Sequence, residues 1–522
     1  MPGRGSSADR RSEVLVAIDV GTSGARAAAF DLTGRQLGQV RRSFPTILAR
    51  PGWAEQDARL WRSASLAALG GLVRQLGGSR RILGIGLTGQ CPSVVPLDER
   101  DEPLRLGLIY RDNRATEQAE ALRARFGDEA LHARTGHVPA AFHVVSKILW
   151  LREHEPAFFE RTRRFVEPSD YVALALTGET VTDWTIATAS AMFDLRGRHW
   201  DGALLKDLGL DAGLLPVAHP SWAVVGQLRP ALQRRLGLPA AVPVVIGAGD
   251  SIACAFGAGV TDPGPVSEMA GSSTCLNSVV TEPLEDLDVT HYPSALPGGG
   301  YMTEVGINTT GEAVDWVAGL AYAGRSGRPG AADFERLDRE AAAVPAGAGG
   351  LLFAPVLGDG ERDDPGLRGA AVGLSLRHGR EAWARAVLEG VAFGIRARVD
   401  TLARTGPAAT ELRVSGGGGH LTGWNQIKAD VLGIPVRRVP GDATAAGVAM
   451  LAGLGVGAYA SPAEAIAAAC HVDAPVEPDA DTHARYDTLY GHYRELVGSA
   501  VVRVAGAGEP RSSGGAEPGG AR

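Results

Sequence analysis

The run Leu15-Val-Ala-Ile-Asp19, the turn Gly21-Thr22-Ser23-Gly24 and the run Ala27-Ala-Ala-Phe-Asp31 read as two β-strands joined by a tip of small and hydroxylated residues. The same grammar returns in the second half of the chain, in Val266–Ala270, Gly271-Ser272-Ser273-Thr274 and Leu276–Thr281. Each tip alone is ordinary turn chemistry. One such hairpin opening each half implies a duplicated architecture, with a cleft between two lobes. The chain has 522 residues, too many for one ordinary core. Short apolar runs alternate with helical stretches at 57–76, 114–126, 381–402 and 423–432, the pattern of an α/β protein. A cluster of Gly259, Pro263, Gly264 and Pro265 sets the expected lobe boundary near Gly257–Pro265. The expected organisation is a tail over 1–12, a first lobe over 13–258, a second over 262–505 and a tail over 506–522, both tails rich in Gly, Ser, Pro and Arg.

Composition narrows the function classes. Hydrophobic residues make up 45% and charged residues 21%, and the formal net charge is −7, so no basic stripe offers itself to a nucleic acid. Lysine occurs only at Lys147, Lys206 and Lys428. The four cysteines, Cys91, Cys254, Cys275 and Cys470, have the spacing of neither a disulfide framework nor a zinc site, and reduced thiols in the cytoplasm are the expectation. The apolar run Val14–Ile18 is too short for a signal-peptide core, and Ala240–Val260 is broken by Pro243, glycines and Asp250, so no membrane span is expected. The sequence leaves a homodimer open.

Phosphate recognition needs close backbone approach and converging N–H donors, which small residues permit. Three segments qualify: Asp19–Gly24, Gly271–Thr274, and Ser415-Gly-Gly-Gly-Gly419 at a strand-to-helix junction, where a helix N-terminus would favour phosphate or ribose. No G-x-x-x-x-G-K-[ST] segment is present, and Gly247-Ala-Gly249 is followed by an acid that would repel a dinucleotide pyrophosphate. Asp19 ends an apolar strand and reads either as a turn cap or as a carboxylate for Mg²⁺. Asp250 follows the strand Val244–Ile246 and opens a small-residue helix. It reads either as a helix N-cap or as a base at the carboxyl edge of a sheet.

Taken in order, these segments resemble the FGGY family of carbohydrate kinases over residues 14–500, and its xylulokinase-like members most closely. The resemblance is carried by Asp19–Asp31, Pro51-Gly-Trp-Ala-Glu-Gln-Asp57, Gly86-Leu-Thr-Gly-Gln90, Lys147–Leu151 through His154, Ser169-Asp-Tyr171, Leu176-Thr-Gly-Glu179, Gly249-Asp250, Gly271-Ser272-Ser273, Gly360-Glu-Arg362, Gly373-Leu-Ser375, Leu388–Phe393, Ser415–Gly419 and Ala429–Gly433. It implies two actin/hexokinase-like, ribonuclease H-like lobes around a nucleotide and sugar cleft. It implies ATP-dependent phosphorylation of a sugar hydroxyl, a pentulose first, with Mg²⁺. Asp250 would be the general base and Asp19 would assist the metal. The sugar would meet Gln90, Cys91, Pro92, Asp250 and Ser251. ATP would meet Thr22, Ser23, Gly271, Ser272, Ser273, Gly311, Asp315, Gly417, Gly418 and Gly419, with Gly311 and Asp315 resting on the likeness of Gly306–Trp316 to the family segment. Asp112 and Arg114 would be structural or would position substrate.

The chain departs from the family at the sugar loop. Xylulokinases carry Met-His where Cys91-Pro92 stand and Asn where Ser251 stands, and glycerol kinases carry Arg-Glu after the glutamine. These changes open the acceptor to other ketoses or polyols, such as ribulose, a tetritol or a modified sugar. A non-catalytic sugar sensor on the same fold is disfavoured by the presence of both Asp19 and Asp250.

Overall fold

The computed structural model describes residues 12–77, 80–322, 328–358, 361, 366–499 and 502. Residues 1–11, Gly360 and Arg362 of the Gly360-Glu-Arg362 segment, and the tail over 506–522 lie outside them. Two six-stranded sheets form the frame. The first contains β1 (Glu13–Gly21), β2 (Gly24–Phe30), β3 (Gln36–Ser43), β4 (Arg81–Gly89), β5 (Val224–Gln227) and β6 (Pro243–Val245). Its order is β5-β6-β4-β1-β2-β3. The second contains β7 (Pro265–Ala270), β8 (Thr274–Val280), β9 (Thr290–Pro293), β10 (Tyr301–Ile307), β11 (Glu411–Gly416) and β12 (Val436–Arg438), in the order β9-β10-β8-β7-β11-β12.

The duplication expected from the hairpins is present in the strand pairing. β1 pairs antiparallel with β2 and parallel with β4, and β7 pairs antiparallel with β8 and parallel with β11. β1 is buried along almost its whole length, so its sequence is a near-continuous apolar run. β3 is an exposed edge strand, and Arg41 and Arg42 on it discourage pairing with another chain.

The helices that matter for the site are α1 (Ala58–Leu76), α2 (Val144–His154), α3 (Asp250–Gly257), α4 (Gly311–Ala321), α5 (Ala331–Ala342), α6 (Arg380–Thr405), α7 (Thr422–Leu432), α8 (Ala443–Gly455) and α9 (Ala480–Gly498). Asp57 caps α1 by accepting the Arg59 N–H at 3.0 Å. The stretch expected to be helical from Arg114 starts only at Thr116, because Asp112 and Arg114 are committed to a buried ion pair. The second lobe has a large core of its own, in which Leu388, Val391 and Phe393 of α6 lie with Trp424, Ile427 and Val431 of α7. Among the described residues no helix is long and apolar enough to cross a membrane.

The chain crosses between the sheets twice. It leaves the first through α3 and enters the second at β7, with Gly259 and Gly264 at positive φ in the turn between. It returns through α8, which packs on the first sheet: Val448, Ala449 and Ala452 share a core with Leu15 and Ala17 of β1. Sequence reading located only the first crossing. α3 and α8 touch through their backbones. A Cβ on Gly257 would lie 1.8 Å from the Ala443 carbonyl oxygen, and one on Gly447 would lie 1.9 Å from that of Ala253. Only glycine fits either position.

A Gly447→Val substitution should therefore force the helices apart and destabilise the fold by about 1–3 kcal/mol, read as a lower thermal or denaturant midpoint. Gly491 lies exposed within α9 with open space where a Cβ would stand. Gly491→Ala should leave the midpoint unchanged or raise it, by up to about 1 kcal/mol of helix propensity.

Candidate active site

The first turn expected to hold phosphate is the tip of the β1–β2 hairpin. Thr22 Oγ1 reaches the Tyr110 hydroxyl at 3.4 Å, the Thr22 carbonyl accepts from Gln56 Nε2 at 2.7 Å, and Arg41 donates to Ser23 Oγ. Asp19, at the end of β1, accepts from Arg26 Nε at 2.8 Å, and Arg26 Nη1 reaches Asp442 Oδ2 at 2.6 Å. Burial raises the Asp19 carboxyl above its ordinary range, with the Arg26 charge opposing. Asp442 in turn caps α8 by accepting the Ala445 N–H at 3.1 Å. Arg26, which the sequence did not single out, thus ties the phosphate turn to the second crossing helix.

Asp250 sits where β6 gives way to α3. The turn before it is built for tight passage. Gly247 has φ +75° and its Cβ would fall 1.7 Å from the Leu87 carbonyl oxygen. Thr88 Oγ1 donates to the Ala248 carbonyl at 2.6 Å, and Thr185 Oγ1 accepts the Gly249 N–H at 2.9 Å. Thr185 is itself held by Asp183, the cap of helix Trp184–Ala189. Asp250 is the first residue of α3, so the N-cap reading does not hold: Gly249 flanks the helix, and the Asp250 carboxylate accepts the adjacent Ser251 N–H at 2.9 Å. Burial, then the charge of Asp19 and that of Glu304, push its pKa up to about 7. Glu304 comes from β10 of the other lobe. It accepts from Ser251 Oγ at 2.5 Å and from Asn277 Nδ2 at 3.3 Å. Sequence reading missed Glu304, whose partners lie far away in the chain.

The segment Gln90-Cys91-Pro92 follows β4. Gln90 is buried; its Nε2 donates to Gln56 Oε1 at 2.8 Å, and its Oε1 is buried with no hydrogen-bond partner. The Cys91 sulfur would stand 3.2 Å from a Cβ on Gly249, so the thiol lies against the turn that delivers Asp250. Burial, reinforced by the Asp250 charge, pushes that thiol well up and keeps it neutral. The loop is fastened from behind. Lys147 of α2, wholly buried, donates to the Pro92 carbonyl at 3.0 Å and to the Ile109 carbonyl at 2.8 Å. Its ammonium is pulled down to about 7 by burial. Glu167 accepts the Ser93 N–H at 2.8 Å. Asp112 and Arg114 are bound into the frame: Asp112 accepts the Ala54 N–H at 2.7 Å, while Arg114 bridges Asp112 and Glu55 and lies 3.6 Å above the Trp53 ring.

In the second lobe the predicted nucleotide residues come together, apart from Asp315. The Gly271–Ser273 turn packs on the start of α4, where the Thr310 and Glu312 N–H groups donate to the Ser272 carbonyl at 3.2 and 3.1 Å. A Cβ on Gly311 would lie 2.2 Å from the Gly271 carbonyl oxygen. Gly416, at φ +82°, leads into the 3₁₀ turn Gly417–His420, and a Cβ on Gly418 would lie 3.0 Å from Cβ of Ala270. Gly419 accepts from Asn425 Nδ2 at 2.9 Å. Asp315 stands on the exposed side of α4. One expectation is corrected. The N-terminus of α7 is not open to phosphate or ribose, because Asp338 of α5 already accepts the Gly423 and Trp424 N–H groups at 2.9 Å each.

Mg²⁺ is held best by one or two carboxylates plus substrate phosphates. The residues fit that role and no more: Asp19 offers one carboxylate beside the turn, and no group of three His, Cys, Asp or Glu able to hold a metal occurs among the described residues.

Comparison with known proteins identifies the family. Models of the N-terminal and C-terminal domains of the FGGY family of carbohydrate kinases match residues 14–257 and 267–456. The xylulose kinase of Bacillus subtilis is 28% identical over 488 residues, covering 92% of this chain and 96% of that one. The glycerol kinase of Gloeobacter violaceus is 32% identical over 496 residues, covering 92% and 95%. The crystal structure of xylulose kinase from Rhodospirillum rubrum superposes with a TM-score of 0.85 at 32% identity, covering 94% of this chain and 99% of that one. With both lobes matched and the likeness running through the turns just described, this chain belongs to the FGGY family of carbohydrate kinases.

Proposed function

We propose that this kinase transfers the γ-phosphoryl group of Mg·ATP to a hydroxyl of a pentulose, with Asp250 as general base. The observation that carries the reading is the setting of Asp250. It is a half-buried carboxylate beside Asp19, with Glu304 of the other lobe nearby, and its pKa is about 7, which suits a base at neutral pH. A sugar hydroxyl is a weak acid. As its oxygen bonds to the γ-phosphorus and the bond from that phosphorus to the β,γ-bridging oxygen breaks, the hydroxyl proton passes to Asp250 and ADP leaves. Mg²⁺ supplies neutralisation of phosphate charge, assisted by Asp19. Thr22, Ser23, Gly271, Ser272, Ser273, Gly311 and Gly417–Gly419 serve the nucleotide, and Asp315, on the exposed side of α4, stands apart from them. The unpartnered Gln90 Oε1 suits a sugar hydroxyl donor, and Cys91, Pro92 and Ser251 complete the wall.

Xylulose kinases are prominent among the relatives, yet a glycerol kinase relative is 32% identical. The Cys91-Pro92 pair offers a neutral thiol and a ring where xylulokinases present Met-His and glycerol kinases Arg-Glu, which favours a ketose over glycerol. A panel of D-xylulose, D-ribulose, D-fructose, erythritol and glycerol, each scored for ADP release against a control without acceptor, tests this. Highest kcat/KM on a pentulose is the expected result, and highest kcat/KM on glycerol would refute it. Exchanging Cys91-Pro92 for Met-His should shift the ranking within the panel and leave the ATP KM within about twofold of the parent, a change below 1 kcal/mol.

Asp250→Asn keeps size and shape but accepts no proton. It should lower kcat at least ~100-fold with both substrates still bound, as measured in single turnovers. The ionised carboxylate is the active form, so kcat/KM should fall as the pH drops below about 7. Because the Asp19 charge helps hold that pKa up, Asp19→Asn should move the inflection to lower pH, and added Mg²⁺ should partly restore its rate.

A further inference from the structure

Between the acceptor loop and the phosphate turn stands one wholly buried side chain, Gln56. Its Nε2 donates to the Thr22 carbonyl at 2.7 Å and to Thr46 Oγ1 at 2.8 Å. Its Oε1 accepts from Trp61 Nε1 and from Gln90 Nε2, both at 2.8 Å. The orientation of this carboxamide is fixed by chemistry. An indole N–H only donates, so the oxygen must face Trp61 and Gln90 and the nitrogen must face Thr22. With its Nε2 committed to Gln56, Gln90 is left with one free acceptor, the buried Oε1. The backbone of Gln90 is also fixed, through its N–H to the Val20 carbonyl at 2.9 Å.

We propose that Gln56 is a positioning residue that couples acceptor binding at Gln90 to nucleotide binding at Thr22 and Ser23. This rests on the sugar-kinase reading of the Gln90 loop. An acceptor hydroxyl donating to Gln90 Oε1 polarises that amide and makes its N–H a better donor to Gln56. Gln56 then donates more strongly to the Thr22 carbonyl, since hydrogen bonds in a chain strengthen one another. The Thr22 carbonyl and the Ser23 N–H share one planar peptide, so holding the first also aims the second. Coupling of this kind is reciprocal: the acceptor tightens the nucleotide by the same factor as the nucleotide tightens the acceptor.

The test is the Kd of Mg·AMP-PNP with and without the acceptor of highest kcat/KM in the panel above, at saturation, by calorimetry. Wild type should bind the nucleotide at least ~5-fold tighter with acceptor present, at the low end of typical couplings. Gln56→Glu keeps the oxygens that accept from Trp61 and Gln90 but sets a carboxylate against the Thr22 carbonyl. It should bring the ratio to within about twofold of one, while the acceptor Kd without nucleotide stays within about threefold. Lowering the pH protonates the introduced carboxyl, restores a donor, and should bring the coupling back. A purely structural role would lower the melting temperature and leave the ratio alone. An unchanged ratio in Gln56→Glu, or no coupling in wild type, overturns the proposal. If Gln56→Glu does not fold, Gln90→Met breaks the same relay from the other end, and coupling retained there overturns it equally. Failure of the underlying reading is distinct: wild type would then turn over no member of the panel.

Discussion

Backbone meets backbone where α3 crosses α8, and the chemistry of the site hangs from that contact. Gly257 and Gly447 leave no room for a Cβ between the helices. One of the pair begins with Asp250. The other is capped by Asp442, which holds Arg26, which holds Asp19. The two carboxylates proposed for base and metal are therefore fixed with respect to each other by two helices in direct contact rather than by a loop. A shift at the crossing would be passed on to both, because packed interiors transmit strain.

Charges from both lobes converge on Asp250, the proposed base. The charges of Asp19 and Glu304 restrain the ionisation of Asp250, and the charge of Arg26 opposes them. Ser251 binds Glu304 from the same helix that carries Asp250, so the two lobes meet through a hydroxyl and a carboxylate at the reacting centre. Beneath the nucleotide turns the second lobe uses another device. Lys428 of α7 and Glu268 of β7 form a wholly buried pair, with both Glu268 oxygens 2.8 Å from Nζ. Such pairs add little net stability but cost several kcal/mol to break singly. The strand that leads into Gly271 and the helix that follows Gly417–Gly419 are thereby held in one register.

The parts of this molecule legible in its sequence are those whose cause is local. The two hairpins declare themselves because apolar runs flank turns of Gly, Ser and Thr. Asp250 stands out because a buried strand ends just before it, and α1 because Asp57 precedes a helical pattern. What stayed hidden depends on partners far along the chain. The second crossing is an Ala- and Gly-rich helix without a strong apolar face, and only its contact with α3 gives its glycines meaning. The cap on α7 comes from Asp338, 85 residues before Gly423, so a glycine-rich turn before a helix looked open to a ligand when it was already satisfied. Gln56 belonged to a quoted family segment, yet its task follows from bonds to Thr22 and Gln90, 34 residues away on either side.

Lysine usage has a practical corollary. Of the three lysines, Lys147 is sealed against the acceptor loop and Lys428 against Glu268, both with no exposed surface. Lys206, on the short helix Gly202–Leu208, is exposed. The remaining basic side chains are arginines and histidines, and a guanidinium does not deprotonate to a nucleophilic amine in water. Amine-directed reagents applied to the folded protein thus have a single lysine side chain to modify besides the α-amino group, which gives a ready-made point for attaching a fluorophore or a surface tether without engineering the chain.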